Sequence, residues 1–274
     1  MIWDVPHHRG AGFPLSILRP TGVYSILSSL YQDMHLRPVD LMRLLALANI
    51  REAPLMGVRD LSAGIGGTLG DLADAGLLVQ CVGGHHGGHT RYDLTRFGAQ
   101  LIAALEPVSQ WAMSDFAFVA TATRARLGLP SLSGRVPAGL RTERTATGLA
   151  ISLLDGLWST TVMVYVDSAG CDGIGALRLE DTVNAAIDAS SGESRVERHL
   201  HRGTLYRTLH GLVAKGLLTR VEDPPRVRYL VTPHGRGLMD AWWKVADGFG
   251  IKHDDELFRI VQATTSWFKP PSED

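Results

Sequence analysis

A mainly helical fold of the α+β class, built from two copies of one helix–strand–loop–strand–helix unit with flanking helices, is what the sequence predicts. The first observation is an internal repeat. Thr68-Leu69-Gly70-Asp71-Leu72-Ala73-Asp74-Ala75-Gly76-Leu77-Leu78 returns, shifted by 140 residues, as Thr208-Leu209-His210-Gly211-Leu212-Val213-Ala214-Lys215-Gly216-Leu217-Leu218. The second is a shared signal one short loop further on, Arg91-Tyr92-Asp93-Leu94-Thr95 and Arg228-Tyr229-Leu230-Val231-Thr232. The third is the pattern inside each copy, a helical apolar spacing stopped by glycine and followed by two strand-like segments. That order is the back half of a winged helix-turn-helix domain. Two such domains are expected, each with a small two-stranded wing.

Residues 1–20 carry Pro6, Gly10, Gly12, Pro14 and Pro20 and read as an irregular arm. Thr21 is placed to cap a helix through Val23, Ile26, Leu27, Leu30 and Tyr31. Pro38 opens a second helix with Leu41, Leu44, Leu45 and Leu47 inward. A short helix is expected over Leu55 to Leu61. Ile65, Leu69, Leu72 and Ala73 keep i, i+4, i+7, i+8 spacing, and Gly76 closes that helix. Leu77–Val82 and Thr90–Leu94 make the first wing. Thr95 then caps a long helix running towards Trp111 and Phe118.

Gly128, Pro130, Gly134, Pro137 and Gly139 mark 128–146 as a linker between domains at 1–127 and 147–274. The second copy begins with a buried helix over Leu149–Val166, a glycine-rich loop from Asp167 to Gly175 and a helix over Leu179–Ala189. A helix over about 198–215, strands near 217–222 and 226–231, and a helix opened by Thr232-Pro233 follow. A last helix carries Leu257, Phe258, Val261 and Phe268.

The 274 residues suffice for two cores, and 45% hydrophobic with 20% charged residues describes a globular chain. No apolar run reaches the ~18 residues of a membrane span, and no secretion signal is visible. With only Cys81 and Cys171, a cytoplasmic protein is expected. Arginine outnumbers lysine 23 to 4, a bias of GC-rich bacterial genomes. The formal charge of −1 supplies no global basic field, so any contact with DNA must come from a local patch.

The repeated Leu-x-x-Leu-x-x-x-Gly-Leu-Leu (Leu69–Leu78, Leu209–Leu218), the wing exits Arg91–Thr95 and Arg228–Gly235, and Gly156-Leu157-Trp158-Ser159 resemble the HxlR/MarR-like winged-helix transcription regulators of bacteria. The likeness covers roughly 35–120 and 147–250, and PadR-like proteins share much of it. It implies a regulator that holds double-stranded DNA and dimerises. Two copies in one chain leave open a pseudo-dimer within the monomer or a homodimer.

Helix geometry locates the reading face. With Leu205, Leu209, Leu212 and Val213 inward, the opposite face carries Gly203, Arg207, His210 and Gly211, with Thr204 at its margin. Arg198, His199, His201 and Arg202 cluster at the amino end, where such helices contact bases. From Arg195 to Arg228 there are 8 basic and 3 acidic residues. Arg226 and Arg228 share one face of the wing strand and suit phosphates or the minor groove. In the first copy the same face reads Gly64, Gly67, Gly70 and Asp71, with Asp74 a turn on and no lysine or arginine. Arg91 on its wing is that copy's candidate contact.

Three further constellations compete with simpler readings. Cys81 and the loop Gly83-Gly84-His85-His86-Gly87-Gly88-His89 could ligate a transition metal, but no fixed acidic or cysteine partner lies nearby, and no metal is assigned. Cys81 and Cys171 could sense oxidants, as some relatives do; buried or unreactive thiols are the expectation. Trp111, Trp158, Trp242 and Trp243 serve core packing, or line a pocket for an aromatic small-molecule effector, as in drug-responsive relatives. No nucleophile elbow, zinc-protease, P-loop or dinucleotide motif is present, so neither an enzyme nor a cofactor is expected.

Overall fold

The computed structural model describes residues 14–18, 22–33, 35–56, 65–82, 90–127, 129, 139, 141–154, 156, 158–190, 199–223 and 226–263. After one helical turn at 14–18, the first half holds α1 (Val23–Gln32), α2 (Pro38–Met56), α3 (Ile65–Asp74), β1 (Leu78–Val82), β2 (Thr90–Leu94) and α4 (Arg96–Ala103). Two helices follow, α5 (Glu106–Ser114) and α6 (Phe116–Arg126). The second half holds α7 (Glu143–Leu153), α8 (Ser159–Ser168), α9 (Ala176–Ser190), α10 (Arg202–Ala214), β3 (Leu218–Asp223), β4 (Arg226–Val231) and α11 (Pro233–Val245). A π-turn (Ala246–Gly250), a 3-10 turn (Ile251–His253) and α12 (Asp254–Ala263) end the described chain. The fold is mainly helical, with two separate antiparallel two-stranded sheets.

The two halves share backbone detail as well as element order. Gly76 and Gly216, at φ 75° and 70°, stop α3 and α10 in the left-handed region where a side chain is costly. The Thr95 hydroxyl donates to the Gly76 carbonyl at 2.7 Å and accepts from the Gly98 N–H at 3.1 Å. Thr232 repeats this with the Gly216 carbonyl at 2.7 Å and the Gly235 N–H at 3.1 Å. Each threonine thus ties the helix stop to the start of the helix after the two-stranded sheet. Gly98 and Gly235 lie so close to the Leu77 and Leu217 carbonyl oxygens that a Cβ at either would collide with backbone.

A residue ahead of α2 and of α9 also adds a bridge to each sheet. Tyr92 donates its N–H to the Leu36 carbonyl at 2.9 Å, and Tyr229 donates to the Ile174 carbonyl at 2.9 Å. Before these residues stand His35 at φ 63° and Gly173 at φ 66°. His35 is a non-glycine residue in a conformation that favours glycine, and its Nδ1 sits 3.1 Å from Asp93 Oδ2 on β2. At the start of α2, Arg37 donates to the Asp40 carboxylate at 2.6 and 3.0 Å. That hydrogen bonding holds the Asp40 carboxyl below the usual carboxylate range.

Several expected elements are divided. The long helix from Thr95 is three helices, broken at Leu105 ahead of Pro107 and again at Asp115. The helix expected over Leu149–Val166 is α7 and α8, with Gly156 and Trp158 in the break. Gly22 (φ 88°) precedes α1 without a side-chain cap, and Thr21 lies outside the described residues. Helix α2 runs on to Met56, and 57–64 lie outside. Leu47, expected inward, is 64% exposed. Arg198, the loop 83–89, most of 128–146 and Phe268 are also outside the described residues.

One hydrophobic core runs through both halves. Helix α7 lies deep in it, burying Thr145, Ala146, Leu149, Ala150, Ile151 and Leu153, and packs on α5 and α6 across the 128–146 segment. The aromatic contacts between the halves are reciprocal. His234 on α11 stacks on Phe118 of α6 (centroids 3.9 Å, planes 9° apart), and its Nδ1 lies 3.1 Å from Asp115 Oδ2. Phe97, two residues past Thr95 as His234 is past Thr232, packs on Phe249 and His253 with centroids at 5.4 Å. The helix after each two-stranded sheet is therefore covered by the segment that follows the other half.

Candidate nucleic-acid interface

Helix α10 presents the face that the sequence assigns to it. Leu205, Leu209 and Leu212 are buried, and Val213 is half-buried. Arg202, Gly203, Arg207 and His210 are exposed, while Thr204 and Gly211 are half-buried at the margins. His201 is exposed at the N-cap without a side-chain capping bond. Tyr206, which the sequence reading passes over, is 40% exposed on this face. The signal was available: Tyr206 lies four residues from both Arg202 and His210, so the three share a stripe.

The basic residues divide into tied and free. Arg202 Nε lies 3.2 Å from Glu180 Oε2 on α9, and His199 Nε2 lies 2.7 Å from Asp188 Oδ1. Arg228 donates to the Asp172 carbonyl at 2.9 Å and sits 3.4 Å from Asp223 Oδ2. Arg220 pairs with Glu222. Lys215, counted in the local basic excess, is buried and donates to the Leu153 carbonyl at 2.7 Å, so it adds nothing to the surface. Arg207, His210 and Arg226 form no ion pair among the described residues. Surface pairs of this kind hold by ~0–1 kcal/mol, so a phosphate can displace Glu180 or Asp223 at small cost.

The first copy differs at the same positions. By the register that aligns Leu69 with Leu209, Gly66, Gly67 and Gly70 stand where Tyr206, Arg207 and His210 stand in α10. An added Cβ at any of the three glycines meets nothing within 4 Å. Asp71 and Asp74 are exposed beside them, and Gly64 lies outside the described residues. Arg91 is exposed on β2, directly across from Cys81 on β1.

Elsewhere, Cys81 is half-buried and Cys171 is exposed, so neither thiol is fully buried. No group of three or more metal-ligating side chains occurs among the described residues, and the histidine loop is outside them. The tryptophans lie on α5 (Trp111), at the N-cap of α8 (Trp158) and on α11 (Trp242, Trp243), and α11 packs against both α5 and α8. Trp242 is fully buried, and Trp111, Trp158 and Trp243 are half-buried. Trp111 meets Phe118 edge-on at 6.4 Å and lies against Gly237 of α11. The indole N–H groups of Trp111 and Trp242 are buried without an acceptor among the described residues.

Comparison with known proteins finds no matching family model, no matching curated protein and no matching solved structure. Among the described residues, no helix is long and apolar enough to cross a membrane.

Proposed function

We propose that this chain is a cytoplasmic DNA-binding transcriptional regulator made of two winged helix-turn-helix units, with α10 as its reading helix. One observation carries the reading: an exposed face with Arg202, Arg207 and His210, beside a wing with Arg226 and Arg228, on a helix whose opposite face buries Leu205, Leu209 and Leu212 in the core. Arginines suit this role because their planar guanidinium pairs with phosphate or with the guanine edge. The matching threonine, glycine and bridge contacts in both halves support a duplicated winged unit. The reciprocal covering of Phe97 and His234 supports a pseudo-dimer within one chain.

Contact is unequal under this reading. Helix α10 and its wing supply the phosphate and base contacts; α3 offers glycine and carboxylate, which phosphates would avoid. Titration with duplex DNA at moderate salt tests it. Arg207→Ala should weaken specific binding about tenfold or more, on the scale of ~1–3 kcal/mol for a base-reading arginine. Gly67→Ala should leave binding unchanged. Equal losses, or no duplex binding by the wild type, contradict the proposal.

A second reading, a small-molecule-binding or sequestering protein that kept the fold without DNA binding, is favoured by the buried Trp111 and Trp242 indole N–H groups, which have no acceptor among the described residues. An unpaired buried donor costs ~1–3 kcal/mol, which an aromatic effector with acceptor atoms would offset. Titration of indole fluorescence with candidate aromatic acids, with and without DNA, separates this reading from the first.

A further inference from the structure

We infer that Tyr206 is a sequence-determining residue of α10, its ring taking the C5-methyl group of a thymine in the major groove. The inference rests on the DNA-reading role of α10. Four observations carry it. The ring is large, 40% exposed and without a ring, hydrogen-bond or ionic partner among the described residues. The other copy keeps glycine at the same position, Gly66, while keeping the core leucines, so the fold does not need the ring. Arg202 and Arg207 lie beside it and supply the charge that would hold the helix against phosphates. Gly203, one turn toward the amino end, has open space where a Cβ would stand, so a base edge can approach there.

The chemistry follows from what the grooves display. In the major groove the only apolar feature that separates bases is the thymine methyl, and an aromatic or aliphatic side chain is its partner. Guanidinium groups read guanine or phosphate and are blind to that methyl. A phenol ring between two guanidiniums therefore adds a discrimination that the arginines lack.

The test begins with a duplex selected from a random pool by the wild-type protein. Each thymine in it is then replaced singly by deoxyuridine, which removes only the methyl group. The wild type should lose about five- to tenfold in affinity at one or two positions. Tyr206→Phe should keep that pattern. Tyr206→Ala should bind the parent duplex more weakly by a similar factor and show no further loss on uracil substitution. Far-ultraviolet circular dichroism and an unchanged melting temperature check that the variant folds, as an exposed site allows. A flat uracil scan in the wild type, or the same scan in Tyr206→Ala, overturns the assignment and leaves DNA reading by α10 standing. Failure to select any duplex overturns DNA reading and this assignment together.

Discussion

Single residues decide where the two units are alike and where they part. Gly98 and Gly235 are fixed by the carbonyl oxygens that press on them, so alanine at either should destabilise the protein by ~1–3 kcal/mol, the usual cost of overpacking. Gly66, Gly67 and Gly70 face open space, and alanine there should stabilise by up to ~1 kcal/mol each through helix propensity. Midpoints of denaturant unfolding measure both, and opposite signs are expected. The stops at Gly76 and Gly216 and the caps at Thr95 and Thr232 were legible in the sequence because one local rule governs each. The positive φ of His35 was not, since it depends on the bridge between Leu36 and Tyr92 and on Asp93 across the turn.

At the level of elements, helix α10 owes its exposed chemistry to neighbours that sequence periodicity does not see. Its core and outward faces follow from 3.6-residue spacing and were read directly. The pairing of Arg202 with Glu180 was not, because Glu180 belongs to another helix 22 residues away. Lys215 likewise looks like one more surface cation until the carbonyl end of α7 is found at its ammonium group. Glu180→Gln removes an acid and frees Arg202, so duplex affinity should rise by up to about fivefold at low salt, the equivalent of a surface pair of up to ~1 kcal/mol. A fall in affinity in an electrophoretic or fluorescence titration would instead make the pair a requirement for binding. Of the divisions of the expected long helices, the one at Leu105 had a local signal in Pro107, whereas at Asp115 no proline marks the break between helices that pack on α7 and α11.

Across the whole molecule, the repeat is embedded in one core. Helices α5 and α6 leave the first unit to pack on α7 and α11, and the segment from Ala246 returns from the second unit to Phe97. Unfolding monitored by circular dichroism and by tryptophan fluorescence should therefore give one coincident transition. Phe118→Ala, which removes the ring stacked on His234, should lower stability by roughly 2 kcal/mol and begin to separate the two signals. Two transitions in the wild type would mean that the units fold independently.

A hydroxyl-radical footprint of the wild-type protein on a selected duplex tests the unequal division of contact most directly. The prediction is one protected stretch of backbone per chain, lost in Arg207→Ala and intact in Gly67→Ala. Two equally protected stretches about 10 base pairs apart, the spacing of paired reading helices, would contradict it.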